Sequence, residues 1–145
     1  MKKWILLVDD SPDDVELTRL ALEENAIANT LVVAHDGAEA IEMLSAESIS
    51  QRGLPAVILL DLNLPKVDGT EVLRQLRYDE RTRLVPVVIL TSSEEERDLV
   101  ATYNLGANSY IRKPVDFSEF LAAMQHLGIY WLHLNRLPPE THDQI

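Results

Sequence analysis

Hydrophobic positions along the chain follow two alternating patterns. Continuous apolar runs occupy 4–8, 56–60 and 85–90, the last interrupted only by Pro86, and weaker strand stretches lie at 29–34 and 108–111. Runs of this length bounded by turn residues predict strands buried on both faces of a parallel sheet. Between them, apolar residues recur at helical spacing: Val15, Leu17, Leu20, Ala21 and Leu22, then Ala40, Ile41 and Leu44, then Val72, Leu73 and Leu76. Each helical stretch opens on a polar cap with an acid three residues on. Ser11 with Pro12 and Asp14, Asp36 with Glu39, Asp68 with Glu71, Ser93 with Glu96, and Asp116 with Glu119 all fit that spacing. The Ser93 helix is expected to reach about Gly106, and Pro86 sits early in the fourth strand, where a missing donor is tolerated. The stretch 45–55 reads as polar connection.

Five strand–helix units in alternation predict an α/β fold, a doubly wound parallel sheet with helices on both faces. At 145 residues the chain is expected to be one domain, large enough to bury a core without cross-links. It has no cysteine, which removes disulfides, thiolate metal sites and thiol nucleophiles. Thirteen basic against twenty-four acidic side chains give a net charge of −11, which opposes nucleic acid and anionic membranes as direct ligands. No apolar run approaches the ~20 residues of a membrane span. The first apolar run stops at Asp9-Asp10, short of the ~7–15 residues of a signal-peptide core. A soluble, cytoplasmic protein is expected.

Polar groups stand at four of the predicted strand ends: Asp9 and Asp10, Asp61, Thr91, and Lys113. In a parallel sheet the C-terminal ends share one rim, where ligands of open α/β sheets bind. Singly, each residue has an ordinary reading as a loop or surface group. Together, three carboxylates on one rim repel one another unless a cation joins them, and oxygen ligands suit Mg²⁺. Lys113 and the Thr91 hydroxyl suit the oxygens of a phosphoryl group. Asp61, ending the central apolar run, is then the nucleophile that accepts phosphoryl as an acyl phosphate.

These segments resemble the receiver domain of two-component response regulators. The resemblance rests on Val8-Asp9-Asp10-Ser11-Pro12, Leu60-Asp61-Leu62-Asn63-Leu64-Pro65, Asp68-Gly69, Leu90-Thr91-Ser92 and Lys113-Pro114. It implies a flavodoxin-like receiver fold with five strands in the order 2-1-3-4-5, over residues 1–135, followed by a C-terminal tail at 136–145. It implies that Asp61 is phosphorylated by a histidine kinase, with Mg²⁺ (or Mn²⁺) on Asp9, Asp10, Asp61 and the Asn63 backbone carbonyl. Asp9 would act through water. Thr91 and Tyr110 would form the switch pair, and the Lys113–Pro114 bond would be cis. Such a domain handles its own phosphorylation and dephosphorylation and is not a turnover enzyme on a small molecule. Ser92 stands where many receivers carry Ala or Gly.

Within that family the chain is most similar to the stand-alone receivers paired with bacterial phytochromes, especially in cyanobacteria. Ser11-Pro12-Asp13-Asp14, the 77–86 connection and the Trp131-to-Pro139 tail carry this narrower likeness. It implies a phytochrome partner and a homodimer. On the last helix, Phe117, Phe120, Leu121, Met124, Leu127 and Trp131 make a core stripe, whereas Ile129, Tyr130 and Leu134 fall off it. Those three either pack under the chain's own tail or bury against a partner or a second copy, and self-association is the expectation. Two other readings are weighed against the receiver. A phosphatase of the haloacid dehalogenase class would place its nucleophile in an Asp-x-Asp pair on the first strand, and Asp61-Leu62-Asn63 lacks the second acid. A phosphorylation-independent interaction domain would lack one of the five key side chains, and all are present. His35, His126, His133 and His142 have no metal-ligand spacing, and the glycines form no nucleotide loop.

Overall fold

The computed structural model describes residues 3–24, 31–93, 95–114 and 116–139. Five strands, β1 Ile5–Val8, β2 Leu31–Ala34, β3 Val57–Leu60, β4 Val87–Thr91 and β5 Ser109–Arg112, form one parallel sheet in the order β2-β1-β3-β4-β5. Six helices join them: α1 Pro12–Glu23, α2 Gly37–Met43, α3 Ala46–Arg52, α4 Gly69–Tyr78, α5 Glu96–Asn104 and α6 Phe117–Ile129. Residues 29 and 30, expected to start the second strand, lie outside the described residues, as does the end of the tail at 140–145.

Alternation along each strand sorts side chains to two faces. Ile5, Leu7, Val57, Leu59, Val88 and Leu90 pack with Ala21 and Leu22 of α1 and with Phe120 and Met124 of α6. Leu6, Val8, Ile58, Leu60, Val87 and Ile89 point the other way, onto Ala40 of α2 and Val72, Leu73 and Leu76 of α4. Both faces are covered over β1, β3 and β4, which is why these strands are apolar almost throughout, whereas the edge strands β2 and β5 are only partly buried. Each fully buried Leu, Ile or Val contributes about 1.5–3 kcal/mol, so the central strands hold the rim behind them rigidly.

Four expectations change. The 45–55 stretch contains α3, capped by the Ser45 hydroxyl on the Ser48 N–H at 3.3 Å and ended by Gly53 at φ 81°. Ile49 is its one buried residue, so no apolar period announced it. Helix α5 starts at Glu96 with Glu95 as a cap that makes no side-chain hydrogen bond. Ser93 does not cap it; its hydroxyl donates to Asp98 Oδ2 at 2.6 Å and accepts from the Glu95 N–H at 3.2 Å. The Lys113–Pro114 bond is trans, as no cis bond occurs among the described residues. The two X–Pro isomers differ by only about 0.5–1 kcal/mol, so the surrounding loop decides between them.

The fourth change concerns the last helix. Phe117, expected in the core stripe, is 53% exposed as the first helical residue after the Asp116 cap. Phe120, Met124, Gly128 and Leu132 are the buried positions. Four-residue steps overshoot an α-helical turn by about 40° each and would drift off the core. Residues Tyr130–Leu134 form a π-helical turn, closed by the Asn135 N–H on the Tyr130 carbonyl at 2.7 Å, and this wider turn brings Leu132 back inward. Ile129, Tyr130 and Leu134 remain exposed, and Leu137-Pro138-Pro139 line a cavity with Leu54, Pro55, Leu84, Val85 and Pro86.

Candidate functional site

The sheet ladder extends one residue beyond three strands and fixes the backbone of the rim. The Asp9 N–H donates to the Ala34 carbonyl at 3.1 Å, the Asp61 N–H to that of Val8 at 3.0 Å, and the Lys113 N–H to that of Thr91 at 2.7 Å. Behind Asp61 the loop folds tightly, with the Gly69 N–H on the Leu62 carbonyl at 3.0 Å. A Cβ on Gly69 would lie 2.2 Å from the Asp61 carbonyl oxygen, so only glycine admits this approach. Asp68 then caps α4, its Oδ1 accepting from the Thr70 N–H at 2.7 Å.

On this rim Lys113 Nζ donates to three carboxylates: Asp14 Oδ2 at 2.7 Å, Asp9 Oδ2 at 2.8 Å and Asp61 Oδ2 at 3.0 Å. The other oxygens of two of them are held by backbone. Asp9 Oδ1 accepts from the Ser11 N–H at 2.9 Å, and Asp61 Oδ1 from the Asn63 N–H at 3.2 Å. Asp10 is exposed, yet one oxygen each from Asp9, Asp10 and Asp61 lie within 4.8 Å of one another. Burial raises the pKa of the Asp9 carboxyl, only partly offset by its bond to Lys113. Burial works against the Lys113 ammonium, but its carboxylate partners outweigh this and hold the pKa above the usual lysine range. Three carboxylates contact one ammonium and a fourth, Asp10, stands beside two of them, so the site retains excess negative charge. An all-oxygen donor set with that excess fits a hard divalent cation.

Thr91 and Tyr110 meet at Ser93. The buried Thr91 hydroxyl oxygen accepts from the Ser93 N–H at 3.3 Å, and the half-buried Tyr110 hydroxyl donates to the Ser93 carbonyl at 3.3 Å. One loop residue therefore reads both side chains. Of the residues singled out from sequence, Asp9, Asp10, Asp61 and Lys113 cluster, Asn63 touches Asp61 through its N–H, and Thr91 and Tyr110 share the neighbouring loop. The sequence reading gave Asp14 a capping role only. A capping box would return its carboxylate to the Ser11 N–H, but Asp9 occupies that donor, and Asp14 turns to Lys113 instead.

The sequence profile of the response regulator receiver domain matches residues 5–125. The chain belongs to this family. Receivers of two-component systems act as phosphoryl acceptors, and the aspartate cluster fits that role together with a divalent metal. Among curated relatives, the receiver is 40% identical to the probable methanogenesis regulatory protein FilR2 of Methanothrix harundinacea, over 92% of this chain and 86% of that one. It is 36% identical to the response regulator Rcp1 of Synechocystis, over 94% and 93%. Among solved structures, the phosphorylated cyanobacterial phytochrome response regulator RcpA is 35% identical at TM-score 0.87, covering 96% of this chain and all of that one. The bacteriophytochrome response regulator AtBRR is 50% identical at TM-score 0.70, over 94% and 99%. Rcp1 has been solved in a Mn²⁺-bound form, 37% identical at TM-score 0.85, over 94% and 99%.

Proposed function

We propose that this receiver works as a single-domain response regulator that takes a phosphoryl group on Asp61 from a phytochrome-type histidine kinase. The observation that carries the proposal is the Asp61 carboxylate at the end of the central strand, bonded to Lys113 Nζ at 3.0 Å beside Asp9 and Asp10. In the transfer, an Asp61 carboxylate oxygen attacks phosphorus, a P–O bond forms, and the donor P–N bond breaks with its electron pair returning to the imidazole nitrogen. Lys113 passes its hydrogen bond from Asp61 to a phosphoryl oxygen. Thr91 turns its hydroxyl toward another, giving up the Ser93 N–H, and Tyr110 follows through the Ser93 carbonyl. Asp9, Asp10, Asp61 and the Asn63 carbonyl are the residues that would hold Mg²⁺. Once bound, the ion supplies neutralising charge for the phosphoryl oxygens.

The named relatives support a phytochrome partner, because RcpA is a cyanobacterial phytochrome response regulator and AtBRR a bacteriophytochrome response regulator, and both align over nearly their whole lengths. Residues 1–135 would be the receiver and 136–145 its tail, acting in the cytoplasm. The reaction consumes the protein's own side chain, so no small-molecule turnover is assigned. The family match leaves no support for a dehalogenase-type phosphatase. The charge of −11 speaks against nucleic acid, and exposed Ile129, Tyr130 and Leu134 support a homodimer. Sedimentation at about 10 μM should show that dimer; a monomer there would count against it.

Phosphotransfer tests the partner. A radiolabelled phytochrome-type kinase core should pass label to the native chain within minutes and none to Asp61→Asn. Equal transfer from an unrelated histidine kinase would remove the phytochrome assignment. Label on Asp61→Asn would remove the acceptor assignment.

A further inference from the structure

We infer that Asp14 is a positioning residue for phosphoryl transfer, holding the Lys113 ammonium in place while its other partners change. This rests on Asp61 being the acceptor. All three N–H donors of Lys113 Nζ are engaged, one on each of Asp9, Asp14 and Asp61. Two of those carboxylates have a second task. Asp9 and Asp61 belong to the three-carboxylate cluster suited to a divalent cation, and Asp61 is also the group that becomes covalently modified. Asp14 lies outside that cluster and makes the shortest of the three bonds. Its partner is therefore the same before and after the transfer.

The local fold keeps Asp14 available for this. It is the third residue of α1, where the helix N-terminus favours a negative charge. Its N–H is held by the Ser11 hydroxyl at 3.3 Å, and its carbonyl accepts from the Thr18 hydroxyl at 2.9 Å. The Asp9 carboxylate occupies the Ser11 N–H, so the Asp14 carboxylate is left to face across the rim. A lysine has four rotatable side-chain bonds, and without a fixed partner its head follows whichever carboxylate is nearest. Misplacement of a charged group by about 1 Å costs up to ~100-fold in rate.

The test uses the full chain as native protein, Asp14→Asn, Lys113→Met and the double variant. Phosphorylation rate is followed against acetyl phosphate concentration at saturating Mg²⁺, and Mg²⁺ affinity by calorimetry. The expected result is a maximal rate about 10–100-fold lower in Asp14→Asn with Mg²⁺ affinity within about twofold of native. Adding Asp14→Asn to Lys113→Met should then lower the rate no further. In the metal-free chain, the ammonium ¹⁵N–¹H signal of Lys113 should be visible by NMR and lost in Asp14→Asn, a change that a purely helix-capping role does not produce. A native rate in Asp14→Asn, or an equal loss in the Lys113→Met background, overturns the inference while leaving Asp61 as acceptor. No adduct on Asp61 in the native chain overturns both.

Discussion

Replacing Lys113 by methionine removes the cation that, among the described residues, Asp9, Asp14 and Asp61 share. The side chains of Asp9 and Asp61 are 2% and 9% exposed, so each loses a hydrogen bond from a charged donor in a poorly solvated place. Such bonds contribute about 1.5–3 kcal/mol each. Asp14 is 29% exposed and adds less, about 0–1 kcal/mol once water replaces the lysine. Protonation of Asp9 and entry of water return part of the loss, which leaves Lys113→Met destabilised by about 2–4 kcal/mol at neutral pH without metal. The deficit should shrink as pH falls and the Asp9 carboxyl, whose pKa burial raises, protonates. Divalent cation should also stabilise the variant more than the native chain, because the ammonium no longer competes for the same oxygens. Urea unfolding in chelator and again in 10 mM Mg²⁺, with an unchanged slope, measures both effects. A loss below about 0.5 kcal/mol in chelator, or a smaller Mg²⁺ gain in the variant, would refute the charge balance described here.

Asp9 gives a pH dependence of defined sign. Its folded pKa lies above the unfolded value of 3.8, so the folded chain holds more protons between the two, and stability falls as pH rises through that window and then levels. Asp9→Asn should abolish this slope in urea titrations from about pH 3.5 to 7. Arg77 donates to the carbonyls of Gly106 at 2.9 Å, Arg83 at 3.2 Å and Val85 at 2.7 Å, and to Asn108 Oδ1 at 2.9 Å. Arg77→Met should therefore cost about 2–4 kcal/mol in thermal or urea unfolding, whereas a lone surface charge would cost almost nothing. Gly69→Ala must displace the Asp61 carbonyl, so it should lower stability by about 1–3 kcal/mol and slow phosphorylation by acetyl phosphate.

The central strands β1, β3 and β4 were legible because burial on both faces makes them apolar almost throughout, and Asp61 stood out as the first polar group after the central run. The caps at Ser11, Asp36, Asp68 and Asp116 were legible because a side chain three residues from its N–H partner is a purely local pattern. Asp14 was hidden for the opposite reason. Its cap spacing is local, but what decides its contact is competition from Asp9 and the arrival of Lys113, ninety-nine residues away. Helix α3 has a single buried anchor, so hydrophobic periodicity had nothing to repeat. The inward turn of Leu132 depends on a π-helical turn that no residue type at Tyr130–Leu134 announces.

The central claim is that Asp61 accepts a phosphoryl group in a metal-dependent reaction. Intact mass after incubation with acetyl phosphate and Mg²⁺, for the native chain and Asp61→Asn, tests it most directly. The account predicts one added phosphoryl group on the native chain, removed by hydroxylamine as an acyl phosphate is and absent when chelator replaces Mg²⁺. Asp61→Asn should stay at its unmodified mass. An adduct of the same size on Asp61→Asn, or one that forms equally well in chelator, would contradict it.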